Sequence, residues 1–182
     1  MLSKVSLNDL VTASLLCAIG IVIPMFSPVK IILEPASFTL ASHVPIFIAM
    51  FLSPLIAGVV ALGTALGFFF GGFPLVIVAR ALTHFVFAIT GAFILKKSPD
   101  LLQSPVKTPI FFFLIAILHA ACEVFVVMPF YFSNNMAQGY YSNGFLFSVV
   151  MLVGLGSVVH SLIDSYIALL IWEPLRKLHS ST

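Results

Sequence analysis

Arg80 and His84 stand four residues apart in PLVIVARALTHFVFAI, residues 74 to 89. At helical spacing they share one face. A guanidinium is a planar fork that matches a carboxylate, and an imidazole one turn away can donate or accept a hydrogen bond. His119 and Glu123 form a second pair of this spacing, His160 and Asp164 a third, and His43 opens another apolar run. Three kinds of chemistry suit these residues. Arg80 and Glu123 can form a buried salt bridge that fixes two helices. Arg80 can instead anchor an anionic ligand in a pocket, with Glu123 holding the guanidinium until ligand shares it. A hydrolytic His/Glu metal site is the third option, but no His-x3-His spacing supports it, and His119 with Glu123 supplies only two ligands. No metal and no cofactor are therefore expected.

The elements that position these groups must be membrane helices. The 182 residues are 61% hydrophobic and 8% charged, with a mean hydropathy of +1.20. Soluble domains average about 25% charged residues. A chain this short cannot hide so much apolar surface in its own core, so the lipid bilayer is its solvent. Cys17 and Cys122 lie in apolar runs without metal spacing and read as small buried hydrophobes. The net charge of +2 points to no nucleic acid or other particular partner. The N-terminal run lacks a convincing small-residue cleavage site and is long enough to span, so it reads as a retained first helix.

Six apolar segments separate along the chain: roughly 9–26, 37–52, 53–70, 75–95, 108–132 and 145–172. A spanning helix needs about 20 residues. The second and third are short and closely coupled, and either could be partly re-entrant. Lys4, the group Lys96, Lys97 and Lys107, and the pair Arg176 and Lys177 all fall on one side of a six-span arrangement, against Lys30 alone in the opposite loops. By the positive-inside rule that side is the cytoplasm. The expected fold is a single domain, residues 1–182: an all-α integral membrane protein of six transmembrane helices, N-in and C-in.

At 1.5 Å per residue from the outer helix ends, His43 and Arg80 lie about 9 Å deep, and His84 and Glu123 about 15 Å. Ionisable groups at membrane depth are costly and mark function by default. His160 and Asp164 count as deeper, toward the inner end of the sixth helix, and read as helix-to-helix hydrogen bonding. Phe73, Tyr140 and Tyr141, beside or in outer loops, can form an aromatic lid or an interfacial belt. Asn134, Asn135 and Gln138 can donate from the same lid or simply face solvent. In the first helix, Ala13 with Cys17, and Ser14 with Ala18, give small-xxx-small faces that allow close helix contact in lipid.

No GxxxxGK[ST], HExxH or GxSxG motif is present, so nothing indicates that the chain itself hydrolyses ATP. Three classes remain: a ligand-capturing transport subunit, an intramembrane enzyme using His119, Glu123, His160 or Asp164, and a scaffold without a small ligand. The missing motifs weigh against the enzyme, and the outer charge cluster weighs against the scaffold.

The chain length, the six segments, the first helix ending in GIVIP, and HVPIFIAMFLSPLIAGVVALGTALGFFFGGFP resemble the S components of energy-coupling factor vitamin transporters over nearly the whole chain. The resemblance implies a non-enzymatic, multi-pass subunit of a bacterial cell membrane that captures a vitamin at its outer face. A T component and two ATPases would then drive release, with the S component toppling in the membrane. The family's Ala-xxx-Ala docking face matches Ser14 and Ala18, or alternatively Ala13 and Cys17. KIILEPASFTLASHVPIFIAMF and GFPLVIVARALTHFVFA are most similar to the niacin type. The resemblance then implies a carboxylate held by Arg80, a ring nitrogen held by His43 or His84, and an aromatic side chain stacked on the ring. Glu123, Asn134 and Tyr140 complete the expected site. Pantothenate or another small carboxylated vitamin is the alternative ligand. Arg80→Ala is expected to abolish binding with folding intact.

Overall fold

The computed structural model describes residues 6–33, 36–136 and 138–179. Helix α1, Leu7–Phe26, begins at a reciprocal cap: the Asp9 amide donates to Ser6 Oγ at 3.1 Å, and the Ser6 amide donates to Asp9 Oδ2 at 3.1 Å. An antiparallel hairpin of β1, Lys30–Leu33, and β2, Ala36–Thr39, follows, with Lys30 opposite Thr39 and Leu33 opposite Ala36. Next come α2, Val44–Leu52, and α3, Pro54–Phe70, joined by Ser53, whose hydroxyl accepts from the Ile56 amide at 3.2 Å. After the turn at Gly72, whose φ is +74°, α4 covers Leu75–Lys97. Helix α5 covers Lys107–Phe132. A π-helical stretch, Leu146–Leu155, runs directly into α6, Gly156–His179.

The second segment differs from the sequence expectation. Its first residues pair in the hairpin, and Ala41, at φ 67°, turns the chain out of any helical path. Pro45 then starts α2 in the first turn, where a missing amide hydrogen is harmless. The resulting nine-residue helix is about 14 Å long, less than half the thickness of a hydrocarbon core. It lies among α1, α3, α4 and α6, and Ile46, Phe47 and Ala49 are wholly buried. An all-round apolar sequence suits such a central position.

Among the described residues, four stretches are long and apolar enough to cross a membrane: α1, α4, α5 and the rod from Leu146 to Arg176. Their outward faces stay greasy, with Leu10, Leu15 and Ile19 on α1 and Ile110, Leu114 and Ile117 on α5 all exposed. Against lipid that surface carries no hydration penalty, and the molecule is a helical membrane protein. Close approach of α1 to α3 depends on Gly63 and Gly67. A Cβ at Gly63 would meet Cys17 Sγ at 2.6 Å, and one at Gly67 would meet Ile21 Cδ1 at 2.3 Å. Gly67→Leu should therefore push α1 off α3 and destabilise the fold by about 1–3 kcal/mol. A lowered melting temperature in detergent, with Gly67→Ala less affected, is the expected reading.

Candidate functional site

Helix α4 turns Arg80 and His84 inward, and α5 turns His119 and Glu123 toward them. Arg80 Nε donates to Glu123 Oε1 at 3.2 Å and Nη2 donates to Oε2 at 3.0 Å, a two-pronged buried pair. The Ser157 hydroxyl, from the first turn of α6, also donates to Glu123 Oε2. His84 Nε2 and His119 Nε2 each approach Glu123 Oε1 to 3.5 Å. A buried ion pair is tolerable only when its remaining hydrogen-bonding capacity is met, and Ser157 contributes to that.

A second carboxylate organises the turn before α2. Asp164 of α6, wholly buried, accepts from the Ala41 amide at 2.8 Å and from the His43 amide at 2.8 Å. It also lies 3.2 Å from His43 Nδ1 and 3.4 Å from His160 Nε2. The Ser42 hydroxyl pairs with His160 Nε2 at 3.0 Å. These bonds hold Ala41 in its left-handed conformation, which costs an L-residue about 1–2 kcal/mol. They also set a negative charge at the N-terminal end of α2, where a helix dipole favours one.

The two carboxylate groups meet through histidine rings. His43 lies edge-on to His84, His119 and His160, with ring centroids 4.6, 4.9 and 4.8 Å away. His84 and His119 are 4.9 Å apart. Among the described residues, two sets have donor spacing suited to a metal ion: His43, His84 and His119, and His43, His160 and Asp164. Beside them opens a cavity of about 90 Å³. Arg80, His84, His43 and Glu123 line it with Ser157 and His160, and Phe38, Phe68, Phe73 and Ile77 supply apolar wall. Phe73 stacks on Phe68 at 4.7 Å.

Arg80, His84, His43 and Glu123, read as one outer cluster, thus share one cavity wall. Asn134 does not join them: it is exposed in the turn that ends α5, at φ 55°. Tyr140 closes a short 3-10 turn, Gln138–Tyr140, and its side chain lies outside the described part of the structure. Tyr141 packs on Tyr131, and its hydroxyl oxygen accepts from the Met136 amide at 3.2 Å. Ser157 and His160 escaped the sequence reading of the site. Ser157 gives no signal in an apolar helix. His160 and Asp164 were visible as a pair but were assigned to the inner end. On α1, Ala13 is buried and Cys17 faces the carbonyls of Val59 and Val60, whereas Ser14 and Ala18 are exposed.

The niacin transporter NiaX of Lactococcus lactis subsp. cremoris is 44% identical to this chain over 174 residues, which is 96% of this chain and 77% of the relative. No protein-family model matches the chain, and no solved structure matches it.

Proposed function

The chain belongs to the niacin-transporter family, the niacin-type S components of energy-coupling factor transporters, and on that premise we propose that it captures nicotinate at the outer face of a bacterial cell membrane for import. The observation that carries the ligand assignment is Arg80, a buried guanidinium on the wall of a small cavity. A carboxylate entering the cavity shares the guanidinium with Glu123. His43 and His84 stand beside it for the ring nitrogen, and Phe38, Phe68 and Phe73 offer faces for the ring. The size supports a one-ring ligand. An apolar cavity of about 150 Å³ admits benzene, so about 90 Å³ is of the order of a single ring once the wall moves outward.

The six-span, N-in and C-in topology is part of the proposal. The hairpin end and α2 together complete the second crossing, residues 37–52. Ser53, Lys96, Pro99 and Arg176 line one recess, which supports a common inner side for the α2–α3 junction, the α4–α5 connection and the end of α6. Pro24, Phe38 and Phe73 gather at the other end, around the cavity.

The chain is a transport subunit, and ATP hydrolysis belongs to partner ATPases reached through a T component. The exposed Ser14 and Ala18 form the face for that contact, because Ala13 is buried and Cys17 packs on α3. Ala18→Trp should leave nicotinate binding by the isolated chain unchanged and abolish co-purification with the T component. The whole reading is tested by uptake of labelled nicotinate into cells without their own niacin uptake. Uptake should require this chain, the T component and both ATPases together. Uptake without the chain, or none with all components present and assembled, contradicts it.

A further inference from the structure

We propose that His43, His84 and His119 bind one divalent transition-metal ion of the zinc type, with its open coordination position toward the cavity. The three imidazoles come from three elements, all are buried, and one donor nitrogen from each lies within 4.8 Å of the others. Zinc–nitrogen bonds of about 2.0–2.1 Å place tetrahedral donors about 3.4 Å apart, so modest ring rotations close the set. Sequence spacing could not reveal it, since no two of the ligands share a helix.

The surroundings of each ring point the same way. Beyond the 3.5 Å approach of each Nε2 to Glu123 Oε1, the ring nitrogens of His84 and His119 have no hydrogen-bond partner among the described residues. Buried polar atoms are almost always satisfied, and each of these adjacent imidazoles keeps a nitrogen without a partner, which a shared cation would supply by taking one lone pair from each ring. His43 Nδ1 lies 3.2 Å from Asp164, which fixes the tautomer that leaves Nε2 a lone pair. Glu123 lies 3.5 Å from Nε2 of both His84 and His119. A carboxylate beside each ligating imidazole is the usual support of a metal-binding histidine. The alternative set with His160 is poorer, because Asp164 already serves two backbone amides and His43. Three imidazoles and an open position suit zinc, cobalt or nickel.

Charge balance adds an argument that rests on the proposed nicotinate reading. With neutral histidines, Arg80, Glu123 and Asp164 sum to one negative charge, and a bound carboxylate makes it two in a buried site. A divalent ion cancels both; with His43 and His84 committed to the ion, its open position, in place of those two imidazoles, takes the nicotinate ring nitrogen.

The test uses the full chain in detergent, freed of metal with EDTA. Zinc binding is followed by calorimetry and cobalt binding by visible absorption, and nicotinate is titrated separately before and after chelation. One zinc per chain and the intense visible bands of tetrahedral cobalt are expected. His119→Phe should lose both, Asp164→Asn should weaken zinc binding about 10–100-fold, and His160→Gln should keep the ion. No uptake by cooperatively melting wild-type protein overturns the site, as does uptake that persists in folded His119→Phe. If that variant does not fold, the wild-type cobalt spectrum decides, and a pale octahedral spectrum overturns the site. Nicotinate binding without metal uptake removes the metal site alone. Metal uptake without nicotinate binding keeps the site and removes the nicotinate reading.

Discussion

Arg80→Ala is expected to abolish nicotinate binding and, in addition, to destabilise the protein by about 3–5 kcal/mol, because it leaves the buried Glu123 carboxylate without its cation. From the sequence alone folding is expected to stay intact, and the buried ion pair changes that expectation. In the folded chain Glu123 is 2% exposed and receives both prongs of the fork, so the single variant confounds anchor and strut. Glu123→Gln in the same chain removes the stranded charge. Arg80→Ala/Glu123→Gln should recover most of the lost stability and still bind no nicotinate. Arg80→Lys should restore part of the binding, since a point charge replaces a two-pronged fork. Thermal melts and calorimetry on the four proteins separate the two roles. Full-affinity binding by the folded double variant would remove Arg80 as the anchor.

Asp164→Ala should be the next most damaging change. It removes the acceptor for the Ala41 and His43 amides and the partner of the His43 ring. A buried amide left unsatisfied costs about 1–3 kcal/mol, and two are exposed to that loss here. The turn then has nothing to hold Ala41 at φ 67°. Expected are a strongly lowered melting temperature, fast hydrogen exchange at the Ala41 and His43 amides, and weak vitamin binding because His43 is no longer oriented. Asp164→Asn, which keeps one acceptor oxygen, should fall between. Wild-type exchange at these two amides in folded Asp164→Ala would show that the turn holds without the carboxylate.

Five helices were legible from apolar runs bounded by Pro, Gly and Ser, and the clustering of His43, Arg80, His84 and Glu123 was legible from depth along those runs. The parts that were not legible have local causes. The second segment opens with SFTL, an alternation too short to separate a strand from a helical turn, before the apolar VPIFIAMFL; pairing of residues 30–33 with 36–39 decides. His160 and Asp164 were counted as deep at the ordinary helical rise. The π-helical Leu146–Leu155 is shorter per residue than an α-helix, which brings both residues nearer the start of the sixth segment, and the turn before α2 brings His43 to meet them. Asn134 looked like a lid donor by composition alone, and the turn at the end of α5 leaves it exposed.

The most direct test of the central claim is calorimetric titration of the purified full chain with nicotinate and with nicotinamide. These ligands share the ring and differ in the carboxylate that Arg80 is held to recognise. Tight binding of one nicotinate per chain, with nicotinamide far weaker, is the predicted result. Equal binding of both, or binding of neither by folded protein, would contradict it.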